Sequence, residues 1–188
     1  VVFGRLRGMA NRKDLHARIQ FSDGKVTIPE GPELELPAVS NAGNVVANDI
    51  NEIFFDEAYG CEDIAPGPGD VALDCGANVG LFAHWAAARV GREGHIVCFE
   101  PEPMLAGILD RNLQQLGGKV KTSIVRSALS DTAGEVDFVF DEGCFTTSRI
   151  ADAVSQAPDI AGPSATQRVS VRTIDEVVTT LGLPRVDF

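Results

Sequence analysis

The sequence predicts an α/β protein built around an open, mostly parallel sheet. Three observations carry the prediction. Between Val71 and Val125, short apolar runs alternate with amphipathic stretches of helical length, the pattern of successive βαβ units. The second of these stretches is opened by Pro103 and closed by Gly117-Gly118, residues that start and stop helices. A break, Pro66-Gly67-Pro68-Gly69-Asp70, separates this region from an N-terminal part with a different apolar period.

In chain order, Ala17 to Phe21 and Val26 to Ile28 alternate around Ser22-Asp23-Gly24-Lys25, which predicts a hairpin with Asp-Gly at its tip. Pro29 to Pro37, rich in Pro, Gly and Glu, reads as a loop or a sheet edge. Ile50, Ile53, Phe54 and Ala58 recur at helical spacing and predict a helix over 48–59. After the break come a buried strand over 71–75, a helix over 81–90, a second strand over 95–100, a second helix over 104–116 and a third strand over 120–125. A strand over 136–140 follows too closely for a helical crossover, and 141–167, with Pro158, Gly162 and Pro163, reads as a long irregular segment. Val169 to Val171 resumes an extended run. Thr173-Ile174-Asp175-Glu176 is a capping box that opens a short helix through Leu181. Val186-Asp187-Phe188 reads as the start of a further buried strand. The expected organisation is an N-terminal extension, residues 1–65, followed by a ligand-binding sheet domain, residues 66–188.

With 188 residues, 44% of them hydrophobic, the chain can bury one core. It carries 16 basic against 27 acidic side chains, a net charge of −11. Such a surface repels phosphate backbones and anionic headgroups, so nucleic acid and membranes are poor partners, and small molecules and other proteins remain. No apolar run reaches the ~20 residues that span a bilayer, and no segment has the pattern of a signal peptide. Cys61, Cys75, Cys98 and Cys144 lie far apart, in no CxxC or Cys/His arrangement. No metal site is expected, and a reduced, cytoplasmic setting fits that usage.

The chemistry concentrates in Asp74-Cys75-Gly76-Ala77-Asn78-Val79-Gly80, between the first parallel strand and its helix. Ligands of open α/β sheets bind outside the carboxyl ends of the strands. A dinucleotide site wants G-x-G-x-x-G there, to rest a pyrophosphate on the helix N-terminus. Here the spacing is Gly76-x-x-x-Gly80, Asn78 replaces the middle glycine, and Asp74 would repel a pyrophosphate. An acidic residue at this place suits a ligand that carries an ammonium and a sulfonium, which favours S-adenosylmethionine over a nicotinamide dinucleotide. Glu100, at the end of the second strand, is placed to accept hydrogen bonds from ribose hydroxyls, and Pro101 to flank an adenine ring. Ser127, Ala128 and Leu129 follow the third strand, where an adenine edge is expected. Tyr59 either reaches the cofactor or caps the core. His84 and Trp85 read as packing or surface groups, and Asn112 as either a loop anchor or a solvent-facing polar group.

These segments together resemble the successive motifs of the FkbM-type methyltransferases. The resemblance is carried by Glu52 to Tyr59, Val71 to Phe82, Phe99 to Pro103 with Leu109 to Asn112, Ala128 to Asp131 with Gly134, and Val171 to Asp175, in that order. It implies a Rossmann-like class I methyltransferase sheet, S-adenosylmethionine as methyl donor, and a hydroxyl acceptor on a sugar or a polyketide-type natural product. By position, Asp74, Gly76, Asn78, Gly80 and Glu100 match the cofactor motifs, and Ser127 to Leu129 the adenine-side loop. The family's Lys-x-Asp-x-Glu-Gly segment would follow Phe188, so a longer native chain is expected, with its catalytic base beyond Phe188. Asp141, Glu142, Thr146, Thr147 and Ser148 are candidates for the acceptor side. Two other readings are weighed beside this one: a catalytically silent domain that keeps the fold for binding, and a nicotinamide-dependent oxidoreductase.

Overall fold

The N-terminal alternation folds into a three-stranded antiparallel sheet, β1 (Gln20–Ser22), β2 (Lys25–Thr27) and β3 (Glu33–Glu35), in that order. The structure is a computed structural model and describes residues 18–29, 31–39, 42–56, 58–60, 64–141, 149–150 and 164–188. The hairpin turns on Asp23 and Gly24, both at positive φ (49° and 71°), a turn whose twist matches that of the strands it joins. The Pro-Gly-Glu segment expected as loop or edge supplies β3, at the edge of this sheet.

Helix α1 (Ala42–Ile50) starts at Ala42, well before the expected Asn48. Its buried stripe of Ala42, Val46 and Ile50 has regular i, i+4 spacing, but Gly43 and Asn44, weak helix formers, obscure the start. A π-helical turn (Asn51–Phe55) continues it and buries Ile53, Phe54 and Phe55. Ala58 and Tyr59 lie beyond it in a turn.

The central sheet is parallel: β4 (Val71–Cys75), β5 (His95–Phe99) and β6 (Lys121–Val125), with β5 in the middle. Every residue of β5 is buried, because helices cover both faces of the sheet. Helices α2 (Leu81–Val90) and α3 (Pro103–Gln114) lie on one face, where Ile96 and Cys98 join Trp85, Val90, Leu105 and Leu109. Val26, Leu34, Val46 and Ile50 from the N-terminal elements share that core. On the other face, Val97 and Phe99 meet Val177 of α4 (Ile174–Leu181) and Leu183.

A second sheet contains β7 (Ala128–Leu129), β8 (Gly134–Asp141), β9 (Arg149–Ile150) and β10 (Ser164–Arg172), in the order β7-β10-β8-β9. Ser164 to Gln167, expected within an irregular segment, pair with β8 as part of β10. Nothing in their polar side chains signals a strand; the antiparallel partner imposes it. The capping box forms as expected: Thr173 Oγ1 accepts from the Glu176 amide at 3.2 Å, and Glu176 Oε2 accepts from the Thr173 amide at 3.3 Å. The expected strand start is present as backbone pairing, but it is not buried: Val186 is 42% exposed. Phe188 donates to Val71 O and accepts from Leu73 N, the alternation of a parallel ladder on the free side of β4. Asp187 anchors it by accepting from the Val71 amide at 2.9 Å and from Arg185 at 2.8 Å.

Candidate active site

β4 delivers Asp74 and Cys75 to its carboxyl end, and the chain turns back into α2 within five residues, Gly76 to Gly80. Three of the five take positive φ: Gly76 (99°), Asn78 (51°) and Gly80 (93°). Glycine adopts such angles freely, and asparagine tolerates them better than most residues. The amides of Gly76 and Ala77 both donate to the Phe99 carbonyl, at 3.1 and 2.9 Å, which ties the loop to the end of β5. At Gly80 a Cβ would sit 2.9 Å from Leu109 Cδ1, so a glycine here also lets α2 and α3 pack closely.

Glu100 holds the loop from the neighbouring strand. Its two carboxylate oxygens accept from the Asn78 amide at 2.8 Å and from the Glu102 amide at 2.9 Å. Burial raises its pKa, and those two bonds pull it back. Lone pairs remain on both oxygens for further donors. Behind the loop, Asn112 resolves to an anchor, wholly buried on α3. Its Oδ1 accepts from the Glu35 amide at 2.8 Å, and its Nδ2 donates to Val79 O at 2.8 Å and Glu35 O at 3.1 Å. The same residue's carbonyl lies 3.0 Å from Nε2 of buried His84, which therefore carries its proton there. Burial lowers the His84 pKa, and the imidazole is a neutral packing group.

Asp74 is a buried carboxylate with an unmet hydrogen-bonding need. It is 7% exposed, and its Oδ2 has no hydrogen-bond partner. Burial, with the nearby Glu100 charge, pushes its carboxyl up to about 7, against a backbone hydrogen bond at Ala83 that lowers it. Ala83 lies in the first turn of α2, whose amides have no intrahelical acceptor, and N-cap Gly80 has no side chain to offer. One Asp74 oxygen thus caps the helix and the other is left for a ligand.

A cavity of about 470 Å³ opens at these strand ends. Its walls bring together Tyr59, Asp74, Gly76, Ala77, Asn78, Glu100 and Pro101 among the residues expected from the sequence. Gly80 sits behind the loop and does not line the cavity. Ser127, Ala128 and Leu129 do not line it either: Ser127 is buried with its Oγ unpartnered, and Ala128–Leu129 form β7 beside β10. Glu142, Thr146, Thr147 and Ser148 lie outside the described residues, as does the side chain of Asp141. Tyr59 both reaches the cavity and packs edge-on against Phe82 and Trp85, with ring centroids 5.2 and 6.3 Å apart.

Sequence reasoning missed Asp49, Glu52, Phe138 and Phe188, which complete the walls. The i, i+3 spacing of Asp49 and Glu52 in a helical segment put them on one face, which was a usable signal. Nothing local marks Phe138 of β8, or Phe188, whose ring stacks on Phe82 at 5.8 Å. Asp49 is pushed up to about 6 by burial and by the neighbouring Glu52 charge. Among the described residues, four carboxylates and no Lys, Arg or His line the cavity. Among the described residues no cluster of His, Cys, Asp or Glu has the makings of a metal site.

A family model for the methyltransferase FkbM domain matches residues 74–188, more than half of the chain. The chain belongs to the FkbM methyltransferase family. The FkbM match opens at Asp74 itself and closes at Phe188, both of which line the cavity. One relative is the AMB antimetabolite synthetase AmbE of Pseudomonas aeruginosa, 28% identical over 83% of this chain and 9% of that protein. Another is the methyltransferase sdnD of Sordaria araneosa, 29% identical over 47% of this chain and 33% of that protein. The chain therefore spans less than a tenth of the first relative and about a third of the second. A solved structure from Clostridium thermocellum, described as an rRNA-methylase, aligns over 34% of this chain and 35% of its own, with 18% identity and a TM-score of 0.31.

Proposed function

We propose that this FkbM chain is an S-adenosylmethionine-dependent methyltransferase unit that methylates a hydroxyl oxygen on a small molecule, a sugar or a polyketide-type compound. The observation that carries the reading is the acidic cavity at the ends of β4 and β5, with a buried Asp74 oxygen that has no partner in the protein. A pyrophosphate laid on this turn would meet that carboxylate at close range. A ligand with an ammonium and a sulfonium would neutralise it, so the residues present fit S-adenosylmethionine.

The bound donor supplies a methyl group already activated for displacement. Asp74 is suited to hold its ammonium. Glu100, fixed by the Asn78 and Glu102 amides, offers its remaining lone pairs to the two ribose hydroxyls, and Pro101 lies beside it for the adenine. The backbone of Gly76 to Asn78, pinned to Phe99 O, presents an approach without side chains in the way. Tyr59, Phe82 and Phe188 supply aromatic surface to the cavity. Bound there, the donor would offer its methyl carbon to an acceptor oxygen, with the thioether sulfur as the leaving group. Catalysis on this account is mainly positioning of two reactants in line. Cys75 and Cys98 are free thiols, which is in keeping with a reduced, cytoplasmic setting.

The experiment is thermal unfolding with and without S-adenosylhomocysteine, with NADH as control. A ligand that binds only the folded state adds about 2.7 kcal/mol at a hundredfold excess over its dissociation constant. A rise with S-adenosylhomocysteine alone is expected. A rise with NADH and none with S-adenosylhomocysteine would overturn the reading in favour of an oxidoreductase.

A further inference from the structure

β6 ends the parallel sheet, and among the described residues no strand pairs with its outer side. The register decides which backbone groups are left there. Lys121 donates to Gly94 O at 3.3 Å, and Val125 O accepts from the Glu100 amide at 3.1 Å. The alternate residues Lys121, Ser123 and Val125 thus turn their main chain towards β5. The N–H and C=O groups of Thr122 and Ile124 point outward, an open ladder of the kind that recruits another strand.

Beside that ladder, between β6 and the end of α3, lies a second cavity of about 450 Å³. Leu113, Leu116 and Ile124 give it apolar surface, and Gln114, Thr122 and Arg126 its polar part. It shares no lining residue with the cavity at Asp74. The edge also carries charge opposite to the chain's net −11. Lys119, Lys121 and Arg126 are exposed, and among the described residues no ion pair engages them. Lys25, Arg111, Arg168 and Arg185, by contrast, each meet a carboxylate. Asp110 is the one carboxylate among the described residues of this lining.

We propose that the edge from Lys119 to Arg126 is a docking site for an extended acidic segment of a partner protein, which adds to the sheet as a further strand. The Thr122 and Ile124 backbone supplies the ladder, the groove takes alternate apolar side chains, and the three cations take carboxylates. A second copy of β6 would bring the same cations edge to edge. A nucleic acid would meet the chain's net negative charge and leave the ladder unpaired.

The test probes an array of peptides about ten residues long, alternating Asp or Glu with Val, Ile, Thr, Leu, Phe or Tyr. The best binders are then titrated by fluorescence anisotropy, beside counterparts with Lys for the acidic residues and an oligothymidylate of similar length. Acidic peptides are expected to bind at least about tenfold tighter than their Lys counterparts. In the complex, hydrogen exchange at the Thr122 and Ile124 amides should slow by at least about tenfold. Lys119→Glu with Lys121→Glu, both at exposed positions, should weaken the same peptides by about tenfold or more. The proposal is overturned if no acidic peptide separates from its counterpart by tenfold, or if binding leaves those two amides unprotected. Tighter binding of the oligothymidylate would overturn it in favour of nucleic acid. Dimers in analytical ultracentrifugation, with the two amides protected in the absence of peptide, would overturn it in favour of a second copy.

Discussion

Replacing Asp74 with Asn is expected to make the ligand-free protein more stable and unable to hold its donor. An aspartate ionises near 3.8 in the unfolded chain, and in the folded protein Asp74 is pushed up to about 7, mainly by burial. The folded state therefore prefers the protonated form. Its stability contribution is complete below the unfolded value and is lost as pH rises through the folded one, so the folded protein is penalised at pH 8. A pKa difference of that size between folded and unfolded chain corresponds to about 4 kcal/mol for a single group. Asparagine keeps the shape and an oxygen for the Ala83 hydrogen bond, but leaves an amide nitrogen where Oδ2 was, at a cost of about 1 kcal/mol. A net gain of about 3 kcal/mol follows, or roughly 6–12 °C in melting temperature for a domain of this size. At pH 5 the gain should shrink to less than about 1 kcal/mol, because most of the penalty has gone. Circular dichroism melts at the two pH values read this directly. In the unaltered protein, S-adenosylhomocysteine should bind about tenfold more weakly at pH 6 than at pH 8, since binding needs Asp74 ionised. In the variant, calorimetry should find an affinity at least about tenfold lower and flat with pH. A variant that melts no higher at pH 8, or that keeps its affinity, would refute both the burial argument and the role of Asp74.

The other predictions concern the frame around that carboxylate. Glu100→Gln sets an amide NH₂ against the Asn78 or Glu102 N–H, so it should lower stability by about 1–3 kcal/mol in denaturant melts. It should also weaken S-adenosylhomocysteine by about tenfold or more, and retention of full affinity would remove Glu100 from the ribose site. Gly80→Ala forces a side chain into φ 93° and a Cβ to 2.9 Å from Leu109 Cδ1, with an expected loss of about 2–4 kcal/mol. A melt within about 0.5 kcal/mol of the parent would show that the close approach is not a constraint. Asn112→Ala leaves the Glu35 amide and the Val79 and Glu35 carbonyls without their side-chain partner, and should cost about 2–4 kcal/mol. Hydrogen exchange should speed at the Glu35 amide first, and unchanged protection there would contradict the anchoring role.

Much of the donor side of this site is legible in the residues alone. Asp74, Gly76, Asn78 and Glu100 sit at the carboxyl ends of strands that can be read from apolar period and helix punctuation. The capping box at Thr173 and the Asp-Gly hairpin are legible for the same reason, as each is a contract between residues a few positions apart. The start of α1 is not, because Gly43 and Asn44 weaken the local signal, and burial of Ala42, Val46 and Ile50 overrides it.

What the sequence by itself determined is the strand–loop–helix that presents Asp74, since backbone angles and periodicity depend on near neighbours. The walls of the cavity are another matter. Asp49, Phe138 and Phe188 are far apart in the chain, and only tertiary packing, including the pairing of the last residues with β4, brings them around one space. Asn112 acquires its role in the same way, from a β3 strand some 77 positions upstream and a loop 33 positions upstream. Tertiary structure decided these because a cavity is defined by which faces of distant elements meet, and no local propensity encodes that meeting.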